Sequence, residues 1–389
     1  MIEFEAWMLL VLPLLFAAGW FARGFESRVR AADEGPAPRS LFRGLNLLLN
    51  EQPDKAIDAF IEVVRLDPET IELHYALGNL FRRRGEFDRA IRIHTHLLNR
   101  ADLPARERTT ALAELGQDYL KSGMLDRAED AYRRLLDDGT QRFAALRALL
   151  QIYAVEREWL KAIDCARRLE REAAESHAVQ IAHFYCELTE QALVRKAFDA
   201  AQGHVDNALA AHRSSVRATV LAGEIAQQRG DAAAAVRLWL RVLDADFEYL
   251  PLVAERLSAA MDAAGRRDEA LSLLRRALGD MPSIDLLDVT LRRVAEWDSP
   301  QAAAALLRQQ LKQQPSLLGF ERLLAARTAD HIDAELEQLR ALLATHTRRL
   351  ARYRCSKCGF RAREFHWQCP GCTSWDSYPP RRIEELDVA

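Results

Sequence analysis

Four cysteines near the end of the chain carry its sharpest chemistry: Cys355, Cys358, Cys369 and Cys372, in the stretch YRCSKCGFRAREFHWQCPGC. Two CxxC pairs separated by ten residues can place four thiolates tetrahedrally around one metal ion, because each CxxC turn aims both sulfurs at one point. The glycine after Cys358 and the Pro-Gly inside the second pair suit tight turns whose amide N–H groups point at sulfur. Thiolates accept either zinc or iron, so the expectation is one metal ion, iron or zinc, in a site made of the four cysteines. Disulfides are the rival chemistry, and a reducing compartment argues against them. A redox dithiol would need one CxxC on a thioredoxin-like βαβ frame, which the surrounding sequence lacks. Few apolar side chains surround the cysteines, so the module cannot be held by its core alone. Metal binding to such sites is worth on the order of 10 to 16 kcal/mol, enough to decide whether the segment folds.

The charge around the cysteines is lopsided. Arg348, Arg349, Arg352, Arg354, Lys357, Arg361 and Arg363 fall within 16 residues, interleaved with Tyr353, Phe360, Phe365, His366, Trp367 and Trp375. Basic residues with aromatics on a small ribbon could bind RNA or DNA. They could equally meet anionic lipid, an acidic partner or the rest of the chain's own surface, and aromatics in so small a module often form its only core. The net charge of −3 over 389 residues gives no case for wholesale nucleic-acid binding, which is disfavoured.

Elsewhere the chemistry is bland. His74, His94, His96, His177, His183, His204 and His212 are scattered without a shared spacing, and His94 and His96, two apart, point in different directions on a helix. Cys165 and Cys186 read as packed thiols. No nucleophile elbow, phosphate-binding lysine loop or HExxH stands out, so the chain does not read as an enzyme.

The elements that must position the cysteines are helical and repeated. In ELGQDYLKSGMLDRAEDAYRRLLDDG, residues 114–139, one helix carries Leu115, Gly116 and Tyr119, Gly123 supplies a turn, and the next helix carries Ala128, Tyr132 and Leu135. The small residue, the turn residue and the alanine recur as Gly78, Gly85 and Ala90, as Gly223, Gly230 and Ala235, and as Ser258, Gly265 and Ala270. Weaker copies are Gly44 with Ala56, Leu150 with Ala162, Thr189 with Ala201, and Arg292 with Ala304. Units start near 37, 71, 109, 143, 182, 216, 251 and 285, a spacing of 34 or 35 stretched twice to 38 or 39. A period of 34 with Leu-Gly, a tyrosine, an alanine and a final proline (Pro68, Pro282) resembles the tetratricopeptide repeat family. That resemblance implies an all-α superhelix of about eight repeats with a long concave surface that holds protein or peptide. Since the first helix of each such repeat lines that surface, Glu72, Asn79, Arg82, Arg83, Gln117, Lys121, Arg147 and Gln151 are groove candidates for partner binding, beside the plain reading of a solvated face. Arg82, Arg83 and Arg84 form the most basic spot.

At the other end, residues 6–22 form an uncharged run of 17, about 25 Å as a helix and just long enough to cross a bilayer. A cleaved signal peptide is the rival, but Glu3 and Glu5 precede the run and no Lys or Arg does. Arg23, Arg28 and Arg30 follow it directly, which places the N-terminus outside and the main body in the cytoplasm. The expected layout is an N-terminal transmembrane helix and basic flank (1–30), a linker (31–39), repeats (40–320), capping helices (321–352) and the metal module (353–389).

Cys-x-x-Cys-Gly-Phe and Cys-Pro-x-Cys resemble the two knuckles of rubredoxin, with a gap much shorter than a true rubredoxin has, which favours a structural ion. Anchor, tetratricopeptide array and terminal rubredoxin-like knuckle in this order resemble the lipopolysaccharide assembly protein B family over the whole chain. The resemblance implies a single-pass protein of the bacterial inner membrane that promotes destruction of the deacetylase LpxC by the protease FtsH. It maps the metal ligands onto Cys355, Cys358, Cys369 and Cys372. A general scaffold for envelope-synthesis proteins is the other reading, and homo-oligomer formation stays open.

Overall fold

The computed structural model describes residues 70–384 apart from Pro282 and 331–333. The anchor with Arg23, Arg28 and Arg30, the linker and the first repeat lie outside the described residues. From Ile71 onward the chain is paired helices: α1 (Ile71–Arg83) with α2 (Phe87–Leu98), α3 (Ala105–Lys121) with α4 (Leu125–Asp138), α5 (Arg142–Glu156) with α6 (Trp159–Ala173), and α7 (Ala178–Val194) with α8 (Phe198–Ala211). Then come α9 (Val216–Gln228) with α10 (Ala232–Ala245), a 3-10 turn (Phe247–Tyr249), α11 (Leu250–Ala263) with α12 (Arg267–Asp280), α13 (Ile284–Trp297) with α14 (Pro300–Gln313), and α15 (Leu317–Asp330) with α16 (Ala334–Leu350). The chain divides into two compact units at 152/153.

One turn joins six of these pairs. A residue with positive φ ends the first helix at Gly85, Gly123, Arg157, Lys196, Gly230 and Gly265. The next residue's N–H reaches back five positions to a carbonyl at 2.8–2.9 Å, from Glu86 to Phe81, Met124 to Tyr119, Glu158 to Tyr153, Ala197 to Ala192, Asp231 to Ala226 and Arg266 to Met261. This satisfies carbonyls the helix end would leave bare, and it requires left-handed backbone. Two repeats hold that conformation with a side chain, at φ 61° for Arg157 and 56° for Lys196. Lys196 is exposed, so Lys196→Gly removes strain without losing packing. Thermal unfolding should show it stabilising the protein by about 1 kcal/mol.

Packing between paired helices follows a second rule. The small residue of the first helix meets a ring sixteen positions on (78 to 94, 116 to 132, 223 to 239). A Cβ added at Gly78 would lie 2.4 Å from His94 Nε2, at Gly116 3.1 Å from Tyr132, and at Gly223 2.2 Å from Trp239 Nε1. The repeated alanines Ala90, Ala128, Ala235 and Ala270 are all buried. In the first unit Leu97, Leu103 and Ala111 form a core. In the second, Trp239, Leu250, Leu257, Leu274 and Leu286 belong to one continuous cluster against which Phe365 and Trp367 pack.

After α16 the chain becomes a small antiparallel sheet, β1 (Ala351–Arg354), β2 (Arg361–Ala362) and β3 (Ile383–Glu384), in the order β2-β1-β3. Tyr353 pairs with Ala362 and Ala351 with Glu384.

Candidate metal centre

The two CxxC segments fold into the same turn twice. In the first, Gly359 N–H donates to Cys355 O at 2.9 Å and Cys355 N–H to Phe360 O at 2.9 Å; in the second, Thr373 N–H donates to Cys369 O and Cys369 N–H to Ser374 O, both at 2.8 Å. The residue after the last cysteine takes positive φ in each, 76° at Gly359 and 56° at Thr373. Facing each other, these turns bring all four sulfurs within 4.8 Å of one another. Cys355 and Cys372 Sγ are 3.8 Å apart, Cys358 and Cys369 Sγ 3.6 Å. A tetrahedral ion with metal–sulfur bonds of about 2.3 Å needs sulfur pairs about 3.8 Å apart, so the set fits one ion. The N–H groups of Gly371 and Cys372 point at Cys369 Sγ from 3.3 and 3.4 Å.

The sulfurs also titrate apart. Burial pushes the Cys355 thiol up, but the Ser377 hydroxyl and the N–H groups of Cys358 and Lys357 outweigh it and bring it down to about 6. Ser374 lowers Cys372 through its hydroxyl and N–H. For Cys358 the Phe360 N–H acts downward, yet desolvation and the other three cysteines carry it up to about 12. Negative charge gathers at one point, which a cation relieves. Cys165 and Cys186 differ: burial raises them to about 11 and about 12, and both are packed thiols.

Within the second unit this knuckle sits on the repeats through four residues from the starts of successive first helices. His183 Nε2 lies 2.9 Å from Asp376 Oδ2, and its ring stacks on Trp375 at 4.4 Å. Arg217 lies 5.9 and 6.0 Å from the rings of Trp367 and Trp375, and its Nη2 donates to Glu187 and Glu190 at 2.7 Å each. Tyr249 stacks on Trp367 at 5.6 Å and meets Phe365 edge-on. Asp285 accepts from the Tyr353 hydroxyl at 2.9 Å and pairs with Arg382 at 3.1 Å. Burial raises the Asp285 carboxyl, against the pull of Arg382 and Tyr353. Of the aromatics interleaved with the basic residues, Tyr353, Phe365, Trp367 and Trp375 therefore serve the chain's own surface, while Phe360 is exposed. Arg217, Tyr249 and Asp285 escape a reading of motifs; what marks them is their phase, one per repeat (183 to 217, 217 to 249, 249 to 285).

Arginine–carboxylate pairs join the first helices of neighbouring repeats: Arg82 to Glu114 and Asp118, Arg217 to Glu187 and Glu190, Arg256 to Glu224, Arg293 to Glu255, and Arg322 to Asp288. Arg82 also donates to Asn79, and buried Asp118 holds His94 Nδ1 at 2.6 Å. A ligand reaching Arg82 would have to displace carboxylates already bound to it. Gln117 accepts from the Tyr132 hydroxyl at 3.1 Å. Glu72, Arg83, Lys121, Arg147 and Gln151 are exposed. All eight groove candidates belong to the first unit.

Helical hairpins of this kind with a four-cysteine knuckle seated on them define a tetratricopeptide-repeat protein with a rubredoxin-type module that could hold a metal ion. Residues 43–94 match the family described as Tetratricopeptide repeat, and residues 353–379 match Rubredoxin metal binding domain. The chain is 35% identical over 380 residues to Lipopolysaccharide assembly protein B of Escherichia coli (strain K12), covering 96% of this chain and 98% of that one. It is 30% identical over 393 residues to the protein of the same name from Haemophilus influenzae, covering 97% and 98%. The solved TPR2AB-domain:pHSP90-complex of yeast Sti1 aligns with a TM-score of 0.33 at 16% identity, over 70% of this chain and 96% of that one. The chain belongs to the lipopolysaccharide assembly protein B family.

Proposed function

We propose that this protein is a membrane-anchored adaptor, without chemistry of its own, that regulates lipopolysaccharide biosynthesis by promoting FtsH-dependent degradation of LpxC. The observation that carries this reading is family membership along 96% of the chain. Residues 6–22 span the inner membrane in this reading, with the N-terminus periplasmic and the repeats in the cytoplasm. Cys355, Cys358, Cys369 and Cys372 hold one zinc or iron ion that keeps the knuckle folded. With the face of the second unit taken by the knuckle, the exposed groove residues of the first unit are the surface offered to client or protease.

Tethering supplies the mechanism. An anchor that confines the adaptor to the membrane of the protease raises their effective concentration without any new contact. Removing residues 1–30 should leave the repeats folded, while LpxC decays several-fold more slowly after translation arrest than with the intact chain at matched abundance. Unchanged decay would sink the tethering argument, and unchanged LpxC with many envelope enzymes captured would favour a general scaffold.

A further inference from the structure

A cavity of about 620 Å³ lies in the second unit where the knuckle meets the last repeats. Leu278, Ile284, Leu287 and Leu311 give it apolar lining, and Arg354, Arg381 and Arg382 line it from the knuckle. Glu248, which is exposed, is the lone carboxylate among the lining residues, beside three arginines. Arg382 spends its Nε on Asp285 and Tyr353. Arg381 is exposed and makes no hydrogen bond or ion pair among the described residues.

The cavity also receives the start of α13. Ser283, its N-cap residue, is 6% exposed, lines the cavity and makes no side-chain cap bond; its Oγ is buried without a hydrogen-bond partner. A buried hydroxyl with no partner is uncommon, since such groups nearly always find one. Here it stands at a helix N-terminus, where bare N–H groups and the helix dipole favour an anion. Lining arginines, a hydroxyl and helix N–H groups supply more donors than a carboxylate's two oxygens can use, and they suit the three terminal oxygens of a phosphate. The leucine-rich lining then calls for an apolar group on the fourth oxygen. The volume falls within the roughly 300–1,000 Å³ usual for small-ligand sites.

We propose that this cavity binds a phosphate monoester carrying an apolar group, held by Arg354, Arg381 and Arg382 of the knuckle and by Ser283 at the start of α13. The site goes beyond the adaptor reading and does not depend on it. A ligand that touches both knuckle and repeats stabilises their seating by mass action, so its concentration sets how firmly the knuckle stays down.

Phenyl phosphate is the probe, titrated calorimetrically into the metal-loaded full chain in phosphatidylcholine nanodiscs, with inorganic phosphate beside it. One saturable site is expected, tighter for phenyl phosphate than for inorganic phosphate by about tenfold or more, given the apolar lining. Arg381→Gln should weaken phenyl phosphate by about tenfold or more, through loss of a charge-assisted bond, with the far-ultraviolet spectrum unchanged. Ser283→Ala should weaken it about fivefold. No saturable binding at millimolar phenyl phosphate, equal binding of inorganic phosphate, or an affinity unmoved by Arg381→Gln would each overturn the proposal. Nanodiscs containing phosphatidic acid distinguish the source: competition there identifies a lipid headgroup as the ligand, and none identifies a soluble ester.

Discussion

Stripping the metal from the full chain is expected to unfold residues 353–379 and lift them off the repeats while both helical units stay folded. The knuckle's buried core is Tyr353, Cys355, Cys369 and Tyr378, helped by Ala362 and Phe365, and two of its three strands are two residues long. Ordering each residue costs about 1–2 kcal/mol of backbone entropy, which so small a core cannot offset. Metal binding to such sites contributes about 10–16 kcal/mol, so losing it removes the largest single term that favours folding of this segment. A mercurial reagent with chelator should red-shift the emission of Trp367 and Trp375 and open Arg361 and Arg363 to trypsin, with helical circular dichroism almost unchanged. Cys369→Ser should do the same without reagent. Native emission and trypsin resistance in a protein whose four knuckle cysteines have all reacted would show that the seat on the repeats, and not an ion, holds the knuckle.

That outcome matters because the seat is not stabilising on both sides. The stacks of His183 on Trp375 and Tyr249 on Trp367 contribute about 0.5–1.5 kcal/mol each beyond burial. Arg217, however, is buried beneath those tryptophans, and its Nε and Nη1 have no partner. Burial works against its charge, and Glu190 and Glu187 outweigh that desolvation and favour the charged form, but the two donors left without partners still lose hydration beneath the knuckle. When the knuckle lifts, Arg217 regains water. The expected result is that the repeats alone do not hold an unfolded tail in place, so that folding around an ion and seating on the repeats occur as one coupled event.

The repeat architecture and the cysteine cluster were legible in the sequence because each is a short-range pattern. Gly85, Gly123, Gly230 and Gly265 announce the left-handed turn by composition alone. The same turn at Arg157 and Lys196 is invisible to composition, since there the backbone hydrogen bonds impose it on a side chain. His183 looked like one histidine among many for a related reason: its partner Asp376 is 193 residues away, and no local spacing encodes that. Arg82 is a groove candidate because the first helix of a repeat lines the concave face, and the carboxylates that bind it, Glu114 and Asp118, come from the next repeat, where no local spacing announces them. Chemistry within one turn can be read from spacing, whereas chemistry between repeats needs the phase of the superposed repeats.

The second large effect tests that phase directly. Gly223→Ala is expected to destabilise the protein by roughly 3 kcal/mol or more, although alanine is the better helix former. Its Cβ would fall 2.2 Å from Trp239 Nε1 and 2.6 Å from Cδ1, and Trp239 is fully buried. The ring cannot swing away cheaply, because Nε1 donates to Val220 O at 3.1 Å and Trp239 is part of the continuous core of the second unit. Moving it breaks that bond and leaves a buried donor unpaired, at a further cost of about 1–3 kcal/mol. Gly203, exposed within α8, meets nothing within 4 Å, so Gly203→Ala should stabilise by about 0.5–1 kcal/mol. Thermal unfolding followed by helical dichroism should move several degrees down for the first and slightly up for the second. If both variants shift together, the glycine is not where the ring packs, and the rule that ties residue 223 to 239, like 78 to 94 and 116 to 132, fails.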